Sequence, residues 1–125
     1  RDTGIGASNI ALAYARSQFV LASRVGRVAP PIDGPTLSTD TKVIRDASEH
    51  ALEMGMTGKL CLRMEQAPHI NGVLAPSAAD ISWAASVIDE LGDYGERARD
   101  GSDLPRLARA QKIAGLAKAF ARALT

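Results

Sequence analysis

The residues able to do chemistry are few and widely spaced. His50 and His69 stand alone, with neither HExxH spacing nor a cysteine partner, so neither reads as a metal ligand. Cys61 is the single cysteine, which excludes an intramolecular disulfide framework and a cysteine-built zinc site. Within the apolar stretch Leu60-Cys61-Leu62 it reads as a small buried side chain, and no basic dyad nearby argues for a reactive thiolate. Gly4-Ile5-Gly6 is part of a glycine fingerprint with no strand ahead of it in the chain, which leaves dinucleotide binding unsupported. Asp33 precedes Gly34-Pro35, where a carboxylate can close an Asx-turn or stand at a strand end. Lys59 reads as a lysine whose stem lies on apolar surface with its ammonium in water. Asp103, two residues before Pro105, reads as the cap of a final helix.

Charge and composition bound the function classes. The 125 residues are 46% hydrophobic and 23% charged, which excludes a disordered or fibrous chain. Fifteen Lys and Arg against fourteen Asp and Glu leave a net charge of +1, so a globally basic nucleic-acid coat and an acidic tail are excluded too. No apolar run approaches the ~18–20 residues of a membrane span, and no signal peptide opens the chain. The expectation is a reduced, cytoplasmic protein with neither nucleic acid nor membrane as partner. Aromatics are scarce for a self-sufficient core: Tyr14, Phe19, Trp83, Tyr94 and Phe120. The chain opens on Arg1 rather than Met, as either a piece of a longer protein or a processed one would.

The elements that must position these residues alternate. Ser8 can cap a helix to about Arg24, with Gly26 past its end. A short strand is expected at Pro31–Gly34. Ser38, Thr39 or Asp40 can cap a helix over 41–54 whose apolar face is Val43, Ala47, Ala51 and Met54. Gly58–Leu62 reads as a second strand and Gln66–Val73 as a short helix. Ser77 and Asp80 have capping-box spacing ahead of a helix over 78–91 that stops at Gly92. Residues 92–103 are polar and glycine-rich and read as a mobile linker. Pro105 opens a last helix to about Leu124, with Leu107, Ala110, Ile113, Leu116, Phe120 and Leu124 on one side. Arg106, Arg109, Lys112, Lys118 and Arg122 decorate the rest, a solvated basic face with membrane-surface or nucleic-acid binding as the alternatives. Strands alternating with helices imply parallel βαβ units, and two short parallel strands cannot stand alone. Pattern alone says that this is part of a larger α/β domain.

Several segments in order resemble one family. Tyr14-Ala15-Arg16-Ser17, running on to Arg24, is similar to a "YARSxxVLAAR" helix, and Ile32-Asp33-Gly34-Pro35 to the strand end that follows it. Met54–Cys61 resembles "LGFxGKLC", Gln66 with Ile70-Asn71 resembles "Q…IN", and Ala75–Asp80 resembles "xPSxxE". Asp103-Leu104-Pro105 with Ala110 resembles "DxP…A". These are motifs of the citrate lyase beta-subunit-like proteins within the HpcH/HpaI aldolase group, to which malyl-CoA and citramalyl-CoA lyases belong. The resemblance spans nearly the whole chain, and its specificity lies in the ordered set.

The resemblance implies an α/β fold: the C-terminal βα units of a TIM barrel plus a C-terminal helical lid, incomplete within this chain. Residues 1–91 would be the closing βα units and 92–125 the lid segment and its helix. It implies Mg²⁺-dependent cleavage of a carbon–carbon bond in a citryl-CoA, malyl-CoA or citramalyl-CoA type thioester, releasing acetyl-CoA or pyruvate and a keto acid. The Mg²⁺ ligands, a Glu and an Asp, fall before Arg1, so no metal ligand is assigned here. Asp103 takes the place of a lid aspartate that moves a proton in a neighbouring subunit's site, which implies a homotrimer with lid exchange. Asp33, Gly58, Lys59, Leu62 and Arg63 are the residues expected near the acyl-CoA.

Two departures stand out. The family strand continues Ile-His-Pro-x-Gln, whereas here Leu62-Arg63-Met64-Glu65-Gln66 puts a permanent positive charge in place of the imidazole. Gly101 stands two residues before Asp103 where the family glycine stands four before, a shortened lid. The rival reading is a non-catalytic relative that binds CoA or a protein partner. Because the two short strands lack visible sheet partners, the isolated 125-residue segment is expected not to fold as a monomer, and its circular dichroism melt should show no cooperative transition at monomer-only concentrations.

Overall fold

The computed structural model describes residues 10–123. Gly4-Ile5-Gly6, the Ser8 cap and Leu124 lie outside them. The elements are α1 (Ile10–Val25), β1 (Ile32–Asp33), α2 (Thr41–Glu53), β2 (Gly58–Lys59), a 3₁₀ turn (Met64–Gln66), α3 (Ala67–Leu74), α4 (Ala78–Leu91) and α5 (Asp103–Ala123). The chain is mostly helical with one small sheet, and it divides into two compact units, Arg1–Leu74 and Ala75–Thr125.

In the first unit β1 and β2 pair in parallel, Ile32 opposite Gly58 and Asp33 opposite Lys59. This is the parallel pair that the alternating pattern requires, with α2 as its crossover. Both strands are shorter than the sequence suggests, and Pro35 gives the reason. The ladder closes with Leu60 N–H donating to Asp33 O at 2.9 Å; β1 then leaves through Gly34-Pro35, and proline has no N–H to continue it. The second strand therefore stops at Lys59, and Cys61, expected to be buried, is exposed.

Asp40 is the cap of α2: its carboxylate accepts from Lys42 N at 2.7 Å and Val43 N at 3.4 Å. The buried stripe of α2 is Ile44, Ser48 and Ala51, one position round from the face expected on Val43 and Ala47. Apolar periodicity missed it because a serine lies on the stripe. Ser48 Oγ donates to Ile44 O at 2.7 Å, so its hydroxyl is satisfied inside its own helix and can be buried. Ile70 and Leu74 of α3, which packs on α2, are buried as well.

In the second unit Ser77 and Asp80 form the capping box reciprocally, Asp80 N–H donating to Ser77 Oγ at 3.1 Å and Ser77 N–H to Asp80 Oδ2 at 3.3 Å. Aspartate thus serves where Glu or Gln is usual. The Ser77 hydroxyl, then its N–H, hold the Asp80 carboxyl below the ordinary aspartate range. Helix α4 ends at Gly92, whose φ of 81° is a conformation glycine adopts without strain. Ala84, Val87 and Leu91 of α4 pack with Leu107 and Ala110 of α5, flanked by Trp83, Ile88 and Ile113. Arg109 lies over the Trp83 ring at 5.0 Å from its centroid, so one basic residue of α5 is seated rather than free in solvent.

Residues 92–102 are not a loose linker. Arg97 Nε donates to Glu90 O at 2.8 Å, its Nη2 to Asp89 O, and its N–H to Leu91 O at 3.0 Å. One arginine thus supplies donors to three carbonyls at the end of α4. Gln111 Nε2 on α5 donates to Asp93 O at 2.6 Å. Polarity signalled a loop, but the same polar groups stitch it to both helices. Helix α5 accordingly starts at Asp103, two residues ahead of Pro105. The α4–α5 core is small, so Leu91→Ala in the product of the full reading frame should lower stability by about 2–5 kcal/mol in urea denaturation, by transfer loss plus the cavity left behind.

Candidate functional site

The first unit brings three charged residues together at the C-terminal end of the strand pair. Register places Asp33 and Lys59 side by side on one face of the two strands. Lys59 Nζ donates to Asp33 Oδ2 at 2.7 Å and to Gly34 O at 3.0 Å. Arg16 Nη2, from α1, donates to Asp33 Oδ1 at 2.7 Å. One carboxylate is thus held between two cations, with side-chain exposures of 3% for Lys59, 13% for Asp33 and 17% for Arg16.

These contacts revise two expectations. Lys59 is a buried, paired ammonium and not a surface lysine. Asp33 closes no Asx-turn: the residue two ahead is Pro35, which has no N–H to donate, and both carboxylate oxygens go to cations instead. The opposite face of the pair carries Ile32 and Gly58, where a Cβ on Gly58 would lie 3.3 Å from Ile32 Cγ1. Gly58 therefore permits a close strand approach and offers no side chain to a ligand. A recess of about 280 Å³ borders the ion network, lined by Leu12, Arg16, Asp33, Pro35, Ala47 and Lys59 among others.

Leu62 and Arg63 follow in the loop after β2, and both are exposed. Arg63, with Thr39, Ile44, Glu65, Gln66 and His69, lines a second recess of about 210 Å³. His69 Nε2 lies 3.5 Å from the Thr41 hydroxyl. The floor of this recess is a residue that sequence reasoning passed over except as a motif match. Gln66, 4% exposed, uses its amide on three backbone groups: Oε1 accepts from Leu62 N at 3.1 Å, and Nε2 donates to Thr36 O at 3.0 Å and Ser38 O at 2.9 Å. A polar residue inside an otherwise helical stretch was the available signal, since a buried amide must find partners.

Asp103 belongs to the second unit. It is 8% exposed and heads α5, and it reaches back rather than capping the helix it opens. Its Oδ2 accepts from Arg99 N at 2.8 Å and Asp100 N at 3.4 Å, while Oδ1 lies 3.8 Å from Arg106 Nη1. Asp100 is held in turn by Ser102, whose hydroxyl and N–H keep its carboxyl below the ordinary range. Among the described residues, no three His, Cys, Asp or Glu side chains come together as a metal site, and no helix is long and apolar enough to cross a membrane. Asp33, with both oxygens engaged, does not fit a metal.

Comparison with known proteins bears on this arrangement. Residues 79–121 match the model of the HpcH/HpaI aldolase C-terminal domain. A citrate lyase subunit beta-like protein of Deinococcus radiodurans is 30% identical over 107 residues, covering 80% of this chain. The chain is similar to members of the HpcH/HpaI aldolase family. It matches the C-terminal portion of that family, and the matched stretch spans 38% of the length of the Deinococcus relative. These matches make the chain a relative of lyases. Three of the quoted motifs now share one physical role, since Arg16, Asp33 and Lys59 come from three of them and meet in one network.

Removing one partner of a buried ion pair costs more than the pair is worth, because a charge is stranded. Asp33→Ala leaves two buried cations facing each other and should cost about 3–5 kcal/mol. Lys59→Met leaves Asp33 with Arg16 and should cost clearly less. Denaturant melts of the two variants, made in the product of the full reading frame, check the order.

Proposed function

We propose that this chain is the closing part of a CoA-ester carbon–carbon lyase of the citrate lyase beta-like type, acting on a citryl-CoA, malyl-CoA or citramalyl-CoA type thioester. The observation that carries the reading is the convergence of Arg16, Asp33 and Lys59 at the C-terminal end of a parallel strand pair. In a TIM barrel that end bears the chemistry. In this proposal residues 1–91 supply closing βα units of such a barrel, and 92–125 supply the lid.

The reaction breaks the bond between the hydroxyl-bearing carbon and the carbon α to the thioester. The hydroxyl gives its proton to solvent and becomes the keto acid carbonyl, and this loss is balanced by the proton later taken up at carbon. The bond electrons pass to the acyl-CoA fragment as an enolate, which then takes a proton at carbon. Asp103 is the acid/base proposed for that proton. Its Oδ2 is committed to Arg99 and Asp100, so Oδ1, which faces Arg106 at 3.8 Å without a hydrogen bond, is the oxygen proposed for the work. Asp33 and Lys59 fix the strand ends, Gly58 allows the strands to approach, and Leu62 and Arg63 line the approach of the CoA thioester. The Mg²⁺ expected of the family has no ligand set among the described residues, and no step assigned here passes through it. A cytoplasmic homotrimer exchanging lids belongs to the same proposal.

One observation favours a second reading. Arg63-Met64 stands where the family has His-Pro, and a non-catalytic relative that binds CoA or a protein partner would tolerate that loss. A Glu and Asp metal pair upstream of Arg1 supports the enzyme; loss of both supports the rival.

The test is acetyl-CoA release from the three thioesters by the product of the full reading frame. Asp103→Asn keeps a carbonyl oxygen to accept from Arg99 and should retain CoA affinity and melting temperature. Its turnover should fall by about 10²–10⁴-fold. Unchanged turnover would reduce Asp103 to the residue that ties down its loop.

A further inference from the structure

The backbone ladder between the two strands ends where Leu60 N–H meets Asp33 O. Beyond that bond the chain leaves both strands as loops, and side chains take over the joining. Lys59 Nζ reaches Gly34 O, and Gln66 reaches Thr36 O and Ser38 O on one loop while accepting from Leu62 N on the other. The partners on the first loop lie 30 and 28 residues away in sequence, so this is a tertiary cross-tie and not a local turn. We propose that Gln66 is a positioning residue for the thioester site, holding the loop after β1 and the loop after β2 at one fixed spacing. This rests on the functional reading above, because that reading gives Leu62 and Arg63 to the CoA thioester.

The chemistry of the side chain is what the position requires. One end of the amide must accept from an N–H while the other donates twice to carbonyls, and a planar primary amide does all three at once. A carboxylate offers no donor to Thr36 and Ser38, and an apolar side chain offers nothing to any of the three. Buried at 4% exposure, the amide has no water to substitute for a lost partner. The bond to Leu62 N fixes the backbone from which Arg63 projects into its recess, so Gln66 acts on ligand through these neighbours.

A positioning role and a purely structural one part company in kinetics. Misplaced loops weaken binding in every molecule; a destabilised fold only lowers the number of active molecules. Gln66→Glu, which keeps the shape, and Gln66→Met, which keeps the length, are to be made in the product of the full reading frame. Acetyl-CoA dissociation constants, KM, kcat and melting temperature are then compared with wild type. Loss of these bonds should raise KM and the acetyl-CoA Kd about tenfold. The kcat of either folded variant should stay within about twofold. If Gln66→Met does not fold, Gln66→Glu decides alone. Unchanged Kd and KM with kcat falling in step with melting temperature makes Gln66 a structural staple and overturns the inference. A wild type that binds acetyl-CoA while both variants bind it equally well overturns this inference and leaves the functional reading standing. A wild type that neither binds nor cleaves any CoA thioester overturns both.

Discussion

A carboxylate between two cations organises the first unit. Asp33 takes Arg16 on one oxygen and Lys59 on the other, so α1, β1 and β2 meet at one side chain. Burial gives the arrangement its force. In water such pairs are worth little, whereas at exposures of a few to some seventeen per cent each charge depends on its neighbours. Once Lys59 is held there, its remaining reach goes to Gly34 O, and the turn after β1 is fixed as well. The Gln66 amide extends the same principle outward, from charge to neutral hydrogen bonds, as the strands give way to loops.

The two-residue strands would be weak on backbone bonding alone. Here the side chains complete what the ladder starts. Arg16 on α1 and Lys59 on β2 thus meet on the Asp33 carboxylate of β1, although the three are far apart in sequence. The arrangement also separates holding from contacting. Asp33 and Lys59 are occupied with each other, while Leu62 and Arg63 are exposed beside a recess.

Much of this architecture was legible in the residues. Caps at Asp40 and Ser77, the stop at Gly92, and the helix–strand alternation follow from local chemistry, and the element order agrees. What escaped depended on partners distant in sequence. Nothing local to Lys59 announces that Asp33, 26 residues away, will bury its ammonium. Nothing local to Cys61 says that the strand stops short because Pro35 turned the neighbouring chain aside. The α2 face was misplaced by one position because hydrophobicity alone cannot see a serine satisfied by its own helix. The motif resemblance singled out segments around Arg16 and Asp103 that periodicity alone would not have marked. Asp103 remained legible only as a helix cap, and even that role is modified, since its carboxylate points back to residues 99 and 100.

Arg97 changes the mechanical character of the second unit. With its guanidinium and its N–H spent on the carbonyls of Asp89, Glu90 and Leu91, the stretch between α4 and α5 is a strut of set length. Gln111 braces it from the other side, and Asp103 locks its far end. A strut transmits displacement where a tether would absorb it. Any travel of the Asp103 carboxylate therefore drags α4 with it, and a catalytic stroke built on this residue would have to move a pair of packed helices as one lever, with the pivot outside residues 92–102.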